Sequence, residues 1–497
     1  MKWTDAAVTA ALGQAASLDG TDVLYSGVAT DTRALEGGEL FVALRGDVHD
    51  AHDFLEAAAA AGAAGAVVER VPEPAPSLRW YVVPDTLAAL GLLARFRRRR
   101  LGARLCAVTG TNGKTTTKDL LRAVLSTRDA VHATGGNFNN LVGAPLTLLG
   151  APDDTRTIVA EVGTNAPGEI ARLAGIVEPD AAVITGVAPG HLEGLGDLAG
   201  VLREKTSLLS WLPEEGVAVV ADEPTALPQR ARKLAARVLV AGTGEGSDRG
   251  LRAEGVRLDD EGRVSFLWRG HGVRLRLRGR HNARNAALAL ALGTEWGVDD
   301  AAAVDALAGL EPPKMRSELH RIGSMLVIAD CYNANPASVD AAVDLLASMP
   351  RRGGRVAVLG SMLELGAESD ALHGAAASAI AGRDIDHIVA TGEFARAFAP
   401  FAERLGERLI TESDPLAAFD RLAPLLKGDE IVLLKGSRGV ALERLLPRIE
   451  ENWGVLHPHG EASGPRAMKS VTGECGDASP AEHFPDVDAD RRDGAAG

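Results

Sequence analysis

Short apolar runs alternate with segments of helical periodicity along most of the chain. This alternation is typical of α/β folds, in which helices cover mostly parallel sheets. The segment 251–277 differs, because polar and apolar residues alternate in it, and it predicts an antiparallel hairpin added to the fold. The apolar runs predicted as strands are Glu39–Leu44, Ala66–Glu69, Thr157–Ala160, Ala181–Thr185, Val217–Val220, Met325–Ala329, Arg355–Leu359, His387–Ala390 and Ile431–Leu434.

Changes in composition divide the 497 residues into three blocks and a tail. The predicted boundaries are 1–100, 101–312 and 313–454, which agrees with roughly 100–200 residues per domain. Residues 455–497 are rich in Gly, Pro, Asp, Ser and His and are predicted to be a disordered tail. Within the tail, His457 and His459 are interpreted as solvated, with metal binding as the alternative.

The net charge of the chain limits its partners. With 53 Lys and Arg against 67 Asp and Glu, the formal charge is −14, which argues against a general nucleic-acid binder or a membrane-surface protein. A phosphate site would therefore be a local feature. The run Arg97–Arg100 is interpreted as a solvated helix end beside a linker, with a phosphate contact as the alternative.

Cysteine usage and hydropathy predict a soluble protein of the cytoplasm. Cys106, Cys331 and Cys475 form no CxxC pair and no disulfide framework, as expected in a reducing compartment. The N-terminus lacks the apolar core of a signal peptide. No run approaches the roughly 20 apolar residues of a membrane span, and the longest candidate, Phe54–Val68, contains Glu56 and two glycines.

A glycine loop between a strand and a helix predicts a nucleotide site. The segment 106–118 reads CAVTGTNGKTTTK, so that an apolar strand enters a turn with Gly110 and Gly113 before Lys114 opens a helix. Backbone N–H groups of such a turn face a phosphate, the lysine neutralises it, and the hydroxyl of Thr115 or Thr116 is placed to ligate Mg²⁺. The strict GxxxxGK[ST] spacing fails, because Val108 takes the first glycine position, and the loop alone specifies no reaction.

Three further polar residues are candidates for a metal and acid cluster. Glu161 ends the apolar strand TIVA, where an acid beside a phosphate loop is placed to hold Mg²⁺ or else lies on the surface. His191 follows the next predicted strand and Lys205 lies on a predicted helix. Spacing alone leaves both of them as ordinary structural or solvated side chains.

Short motifs occur in a fixed order along the chain. They are GTNGKTTTK at Gly110–Lys118, AEVGTN at Ala160–Asn165, HLEGLG at His191–Gly196, REK at Arg203–Lys205, HNARNAALA at His281–Ala289, MRSE at Met315–Glu318 and KGSRG at Lys435–Gly439. Together they resemble the Mur ligase family of ATP-dependent amide ligases, which build peptidoglycan precursors and so serve cell shape and division. The resemblance spans about residues 25–450.

Two stretches indicate a branch of that family. Asp330–Pro336 reads DCYNANP and Val358–Gly366 reads VLGSMLELG, which is similar to the MurF-type branch that adds D-alanyl-D-alanine. The Asn-Pro-Arg signature of the diaminopimelate-adding branch is absent. Ala29–Phe54 resembles the UDP-binding domain that both branches share. The resemblance thus implies an N-terminal UDP-sugar-binding α/β domain, a central P-loop ATPase-like domain and a C-terminal Rossmann-like domain.

The resemblance also implies a reaction. ATP phosphorylates the terminal carboxylate of UDP-N-acetylmuramoyl-tripeptide to an acyl phosphate, and the amine of D-alanyl-D-alanine attacks it, giving the pentapeptide, ADP and phosphate. The implied cofactors are two Mg²⁺ ions and a carbamate on Lys205, which would turn a cation into an anionic oxygen ligand. The chain is expected to act as a monomer with no nucleic-acid partner. The sequence leaves open whether the third residue of the acceptor peptide is diaminopimelate or lysine.

The resemblance assigns roles residue by residue. The catalytic residues would be Lys114, Glu161, His191 and Lys205, and the metal ligands Thr115, Glu161, His191 and Lys205. The ATP contacts would be Gly110, Thr111, Asn112, Gly113, Lys114, Thr115, Thr116, Asn285 at the adenine, Arg316 at the phosphate and Asp330 at the ribose. The UDP-sugar substrate would meet Asp31, Thr32, Arg33, Phe41, His52, Asn137, Asn139 and Asn140. The dipeptide would meet Asn333, Asn335 and Glu364.

Three departures from the family pattern keep other readings open. Gly186 stands where Asn is common, Ala329 replaces the first Asp of an Asp-Asp pair, and Ser361 replaces an Asp. One alternative is another ligase of the superfamily, either the diaminopimelate-adding type or a folylpolyglutamate synthase. The other is a nucleotide-binding regulator with a degenerate site, which would bind ATP without turnover.

Overall fold

The computed structural model describes residues 3–13, 23–46, 48–351 and 353–454. The tail predicted for 455–497 lies outside the described residues. The first part of the chain forms a parallel four-stranded sheet in the order β3-β4-β5-β6 and an antiparallel pair β1-β2. Its elements are β1 (Trp3–Thr4), α1 (Asp5–Leu12), β2 (Leu24–Tyr25), β3 (Val28–Ala29), β4 (Leu40–Val42), α2 (Leu55–Ala60), β5 (Gly65–Val68), β6 (Arg79–Val82) and α3 (Thr86–Leu101).

The middle of the chain forms a parallel six-stranded sheet in the order β12-β11-β10-β7-β9-β8, with helices on its faces. A separate antiparallel sheet, β13-β14-β15, confirms the add-on predicted for 251–277. The elements are β7 (Arg104–Thr109), α4 (Lys114–Leu125), β8 (Val131–Ala133), α5 (Gly143–Leu149), β9 (Thr157–Glu161), α6 (Glu169–Val177), β10 (Ala181–Ile184), α7 (Leu192–Leu195), α8 (Leu198–Thr206), β11 (Val217–Ala221), α9 (Ala226–Ala231), β12 (Arg237–Ala241), β13 (Glu254–Leu258), β14 (Arg263–Trp268), β15 (His271–Arg278), α10 (His281–Glu295) and α11 (Asp300–Ala308).

The last part forms a second six-stranded sheet in the order β16-β17-β21-β18-β19-β20, in which only the edge strand β16 is antiparallel to its neighbour. The elements are β16 (Glu318–Ile322), β17 (Met325–Asp330), α12 (Pro336–Ser348), β18 (Arg355–Leu359), α13 (Ser369–Ala381), β19 (His387–Thr391), α14 (Glu393–Ala397), α15 (Ala402–Leu405), β20 (Leu409–Glu412), α16 (Pro415–Leu422), β21 (Ile431–Lys435) and α17 (Leu445–Trp453). The mixed α/β class with mostly parallel sheets is confirmed.

The order of the central sheet decides where a ligand can bind. Strand β7 lies between β9 and β10. The connection after β7 leads to β8 and β9 on one side of it, and the connection after β9 crosses to β10 on the other side. In open parallel sheets, a crevice forms at the carboxyl ends of the strands where the order reverses. The glycine loop follows β7, Glu161 ends β9, and Thr185 follows β10, so all three lie at this crevice.

The arginine run was wrongly interpreted as a solvated helix end. Arg97 and Arg98 are 4% and 8% exposed, because α3 packs its last turns against the central domain. Arg97 donates to the carbonyl oxygen of Ala151 at 2.6 Å and pairs with Asp153 at 2.7 Å. The run therefore joins the first and central domains, and only Arg99 and Arg100 remain exposed.

Within the described residues, no helix is long and apolar enough to cross a membrane.

Candidate active site

The glycine loop has a backbone that only glycine tolerates at two positions. Gly110 has φ of +148°, and a Cβ there would lie 2.0 Å from the Oγ1 of Thr185. Gly113 has φ of +80°, and its Cβ would lie 2.5 Å from the Oδ1 of Asn285. Gly113 precedes α4 without a side-chain cap, so the first N–H groups of the helix are left for a ligand. The arrangement is a backbone cradle for an anion.

Lys114 lies at the start of α4 and folds back over this loop. Its Nζ donates to the carbonyl oxygens of Gly110 at 2.9 Å and Thr111 at 3.2 Å. Burial lowers the pKa of Lys114, while the nearby Glu161 carboxylate acts in the opposite direction. The amine is thus held over the cradle, where it would meet the terminal phosphates of a nucleotide.

The cradle opens into a cleft of about 320 Å³ between the central and last domains. Many residues predicted from the sequence line this cleft together. They are Thr111, Asn112, Gly113, Lys114, Thr115, Thr116, Asn139, Glu161, His191, Asn285, Arg316, Asp330 and Asn333. The tertiary structure therefore gathers side chains that are more than 200 positions apart in the sequence into one cavity.

Glu161 carries an unused oxygen at the base of the cleft. Its side chain is 2% exposed, and Oε1 accepts a hydrogen bond from Asn139 Nδ2 at 2.8 Å. Its Oε2 is buried without a hydrogen-bond partner. A buried carboxylate oxygen without a partner is costly unless a cation or donor binds it, and it suits a hard divalent cation. Asn139, which is predicted at the sugar substrate, lines the same cleft and orients this acid.

The described residues contain no group of three or more His, Cys, Asp or Glu that could hold a metal ion by themselves. This is compatible with Mg²⁺, which is held by one or two carboxylates, water and the phosphates of a substrate. Glu161 and the hydroxyl of Thr115 face the same cleft and are hard oxygen ligands. The residues present therefore fit a magnesium ion that arrives with a nucleotide.

Lys205 lies behind the cleft on α8. Its side chain is 1% exposed, and its pKa falls to about 7 because of burial and, second, the positive charge of Lys114. The adjacent Glu204 accepts backbone N–H groups of Gly168 and Ile170 at 2.8 Å each and so anchors the start of α6. The sequence analysis gave Glu204 no role, although an acid directly before Lys205 in the REK motif was the available signal.

His191 meets a side chain from the last domain. Its Nδ1 lies 2.6 Å from Oε2 of Glu364, and this contact is the main cause that lowers the pKa of Glu364. Both residues have positive φ, 55° and 64° respectively, which is uncommon for residues other than glycine. Two strained positions that face each other across a domain boundary indicate a functional constraint.

The last domain also brings Arg316 and Asp330 to the cleft. Arg316 donates to Thr115 Oγ1 at 3.1 Å, with its guanidinium 4.2 Å from the ring centre of Tyr332. Asp330 ends β17 and pairs with the fully buried Lys435 at 3.2 Å. Sequence reasoning gave Tyr332 and Lys435 no role.

Lys435 fixes the loop that follows β17. Its Nζ donates to the backbone oxygens of Asp330 at 3.2 Å and Asn333 at 2.6 Å. Asn333 accepts from its own neighbour, the N–H of Ala334, at 2.8 Å. The position of Lys435 in the KGSRG motif was the available signal for its role.

Two other predicted residues are mostly buried and contact neighbouring protein groups. Asn285 is 5% exposed and donates to Asn282 Oδ1 at 2.9 Å, so that it packs under the glycine loop. Asn335 is 4% exposed and faces Asn112 of the glycine loop.

The residues predicted for the UDP sugar are not gathered in the cleft, apart from Asn139. Asp31 and Arg33 form a surface ion pair at 2.7 Å, and the Arg33 contact lowers the pKa of Asp31. Phe41 is 1% exposed in the core of the first domain. His52 is 6% exposed, with Nδ1 2.6 Å from Asp50 and Nε2 accepting the N–H of Glu69 at 2.8 Å. Both ring nitrogens of His52 are therefore used within the domain.

Three more of these residues lie outside the cleft. Asn140 Oδ1 accepts the N–H groups of Val142 and Gly143 and so supports the start of α5. Thr32 lies in the 3₁₀ turn Thr32–Ala34 that Asp31 caps, and Asn137 lies in the loop before α5.

The three departures from the family pattern are locally accommodated. Gly186 has φ of +146°, which disfavours any larger residue, and its carbonyl accepts the N–H of Thr111 at 3.0 Å. Ala329 is fully buried within β17. Ser361 Oγ accepts the N–H of Glu393 at 2.9 Å.

Comparison with known proteins gives one consistent family. Residues 108–293 match the family model of the Mur ligase middle domain, and residues 315–438 match that of the Mur ligase, glutamate ligase domain. A UDP-N-acetylmuramoyl-tripeptide--D-alanyl-D-alanine ligase from Bacillus subtilis is 38% identical over 86% of this chain and 93% of its own length. The protein of the same name from Escherichia coli is 36% identical over 88% of this chain and 96% of its own length.

Solved structures agree with the sequence comparison. A crystal structure of MurF from Acinetobacter baumannii has a TM-score of 0.83 and 31% identity, and covers 91% of this chain and 99% of that one. A MurF ligase from Thermotoga maritima in complex with ADP has a TM-score of 0.74 and 28% identity, with 86% and 97% covered.

Proposed function

The chain belongs to the Mur ligase family, and from this premise we propose that it joins D-alanyl-D-alanine to UDP-N-acetylmuramoyl-tripeptide at the expense of ATP, in peptidoglycan synthesis. The observation that carries the proposal is the cleft between two domains. There the phosphate cradle, Glu161 with its unpartnered oxygen, and Arg316 and Asp330 from the last domain lie together. The ADP-bound relative supports a nucleotide in this cleft.

The reaction requires activation of a carboxylate, because a carboxylate and an amine do not condense by themselves in water. The terminal carboxylate of the tripeptide attacks the γ-phosphorus of ATP and forms an acyl phosphate. The amine of the dipeptide then adds to the acyl carbon, and phosphate leaves from the tetrahedral intermediate. The protein contributes by positioning these groups and neutralising their charges.

Each charged residue of the cleft has a place in this scheme. Lys114 would neutralise the transferred phosphoryl group, and Arg316, held over Tyr332, would approach it from the other side. Asp330, oriented by Lys435, would accept hydrogen bonds from the ribose. Because the donors come from two domains, the site is complete only when the last domain is closed on the central one.

Glu161 and Thr115 would hold a Mg²⁺ ion, and His191 would approach a second. Mg²⁺ supplies neutralisation of phosphate charge when it is bound. The proposed carbamate on Lys205 is chemically reasonable, because burial lowers the pKa of this lysine to about 7 and leaves much of its amine neutral near pH 7. A neutral amine is the form that reacts with CO₂.

The remaining assignments follow from the same scheme. The first domain, 1–100, would bind the UDP sugar, 101–312 would bind ATP, and 313–454 would bind the dipeptide. Because Cys106 and Cys331 are buried free thiols and two of the three proposed substrates carry nucleotides, we place the protein in the cytoplasm.

The test is phosphate release from ATP with UDP-N-acetylmuramoyl-tripeptide and D-alanyl-D-alanine, with mass analysis of the product. Each component is omitted in turn, and Lys114→Met serves as the inactive control. We expect release only when both substrates are present, with a product of the pentapeptide mass. A panel with diaminopimelate or glutamate as the amine separates the other ligases. Binding of ATP without turnover under any combination would replace this function with that of a regulator.

A further inference from the structure

Among the described residues, three side-chain contacts connect the last domain to the nucleotide cleft of the central domain. Arg316 donates to Thr115 Oγ1 at 3.1 Å, and Glu364 lies 2.6 Å from His191 Nδ1. The third contact joins Asn112 of the glycine loop to Asn335, which begins α12. All three hold the two domains together over the cleft.

The first two contacts occupy atoms that the loaded site needs. The hydroxyl of Thr115 and the ring nitrogen of His191 are the groups placed to meet Mg²⁺, and they cannot keep their present partners unchanged when a metal and a nucleotide bind. The Asn112–Asn335 contact is different. The phosphate loop offers backbone N–H groups to phosphate, so the side-chain amide of Asn112 remains available to Asn335.

The geometry of the asparagine contact is reciprocal. Asn112 Nδ2 donates to Asn335 Oδ1 at 3.0 Å, and Asn335 Nδ2 donates to Asn112 Oδ1 at 2.7 Å. Each amide therefore satisfies one donor and one acceptor of the other. Asn335 is 4% exposed, so loss of its partner would leave buried polar atoms unsatisfied.

Asn112 and Asn335 are each held in place by hydrogen bonds within their own domain. The backbone oxygen of Asn112 accepts the hydroxyl of Thr185 at 2.5 Å, which ties the loop to the end of β10. Asn335 is the N-cap of α12, where its Oδ1 also accepts the N–H of Ser338 at 3.0 Å and its own N–H donates to Ser338 Oγ at 3.0 Å. Fixed side chains lose little further entropy when they pair.

We propose that the Asn112–Asn335 amide pair is the latch that keeps the last domain closed on the phosphate loop while nucleotide and metal are bound. Asn335 is then a positioning residue that acts through domain closure, rather than the dipeptide contact that its motif predicts. The latch rests on the proposed function only in that closure completes the site. Its geometry does not depend on which amine is joined.

The test uses substitutions that separate the latch from the helix cap. Asn335→Ser keeps a good N-cap residue but is too short to reach Asn112. Asn112→Ala removes the pair from the other side, and the double variant completes a cycle. Glu364→Ala is the matched control, because it removes a domain contact that the loaded site does not retain. Thermal unfolding of the full chain checks that each variant is folded.

Small-angle X-ray scattering of the full chain, with a non-hydrolysable ATP analogue and Mg²⁺, measures closure without turnover. Loss of two neutral hydrogen bonds should shift the equilibrium between closed and open domains by about tenfold or more toward the open form. We therefore expect both asparagine variants to be more open than the wild type with the analogue, and the double variant to be no more open than either single one. Glu364→Ala should match the wild type under this condition. Scattering of both asparagine variants equal to the wild type would overturn the latch, whether or not the wild type proves active.

Kinetics separates the latch from dipeptide binding. If the pair is a latch, its loss lowers kcat by roughly tenfold in either single variant. The two effects do not multiply in the double variant, because each substitution removes the same pair. If Asn335 bound the dipeptide directly, Asn335→Ser would raise the KM for D-alanyl-D-alanine and Asn112→Ala would leave it unchanged. That second pattern would refute the proposal.

Discussion

Arg98, near the end of α3, holds the first domain against the central domain. Its guanidinium donates to the backbone oxygens of Val177 at 3.0 Å, Ala103 at 2.7 Å and Glu178 at 3.1 Å. It also pairs with Asp180 at 2.8 Å. One side chain from α3 therefore satisfies the end of α6 and the start of β7. Substitution of Arg98 should therefore weaken the packing of α3 against the central domain.

The magnitude follows from the groups left behind. The two buried carbonyl oxygens of Val177 and Ala103 and the partly buried one of Glu178 lose their donor, and each unsatisfied buried group costs about 1–3 kcal/mol unless water replaces the donor. Breaking a buried charge pair by removal of one partner costs about 3–5 kcal/mol. Because Asp180 is partly exposed and water can enter, we expect Arg98→Ala to lower the free energy of unfolding by about 3–4 kcal/mol.

The adjacent Arg99 is a matched control. Its side chain is 59% exposed and pairs with Glu178 at 2.6 Å. An exposed ion pair contributes about 0–1 kcal/mol, so Arg99→Ala should change little. Arg98→Met retains the apolar packing of the side chain and isolates the loss of the hydrogen bonds. Urea unfolding of the full chain, followed by circular dichroism, compares the midpoints. If Arg98→Ala and Arg99→Ala shift the first transition equally, the inference that Arg98 joins the domains is wrong.

Three further outcomes are expected at the site. Glu161→Gln keeps the shape but removes the charge that faces Mg²⁺, and a kcat at least about 100-fold lower is expected at saturating Mg²⁺; wild-type turnover would exclude Glu161 as a ligand. Gly110→Ala places a Cβ against Thr185 at positive φ, so the variant should show no ATP binding by calorimetry although it remains folded. Lys205→Ala should abolish synthesis, with partial rescue by a short carboxylate or bicarbonate, and full activity would refute the carbamate. In CO₂-free buffer the pKa of Lys205 is about 7 in the folded chain and near 10.5 in the unfolded chain, so the unfolded state binds more protons between these two pH values. The free energy of unfolding should therefore rise with pH across that window, by up to about 1.4 kcal/mol per pH unit. This rise should vanish in Lys205→Met.

The amino-acid sequence determined the local elements of this protein. The apolar runs predicted as strands are strands in the structure, since a buried parallel strand needs a continuous apolar segment and little else. The glycine loop was equally readable, because positive φ at Gly110 and Gly113 is a local requirement that few other residues meet. The order of the motifs along the chain was sufficient to identify the family.

Only the tertiary structure decided the environment of long polar side chains. Arg98 belongs to an arginine run whose composition is typical of a solvated helix end. It is buried because the central domain packs against that end. Asn335, which is predicted at the dipeptide from its motif, contacts Asn112, which is 223 positions away in the sequence. His52 and Lys435 likewise contact groups that are distant in the sequence, the N–H of Glu69 and the backbone oxygen of Asn333 respectively.

The physical reason for this division is the range of the interactions. Backbone propensity and apolar periodicity act within a few residues, so the sequence states them directly. The solvation of a charged or amide group depends on which distant backbone and side-chain atoms approach it, and burial without such partners would be costly. The fold of each domain was therefore determined by sequence pattern, whereas the contacts between domains, and with them the closed cleft, were determined by packing.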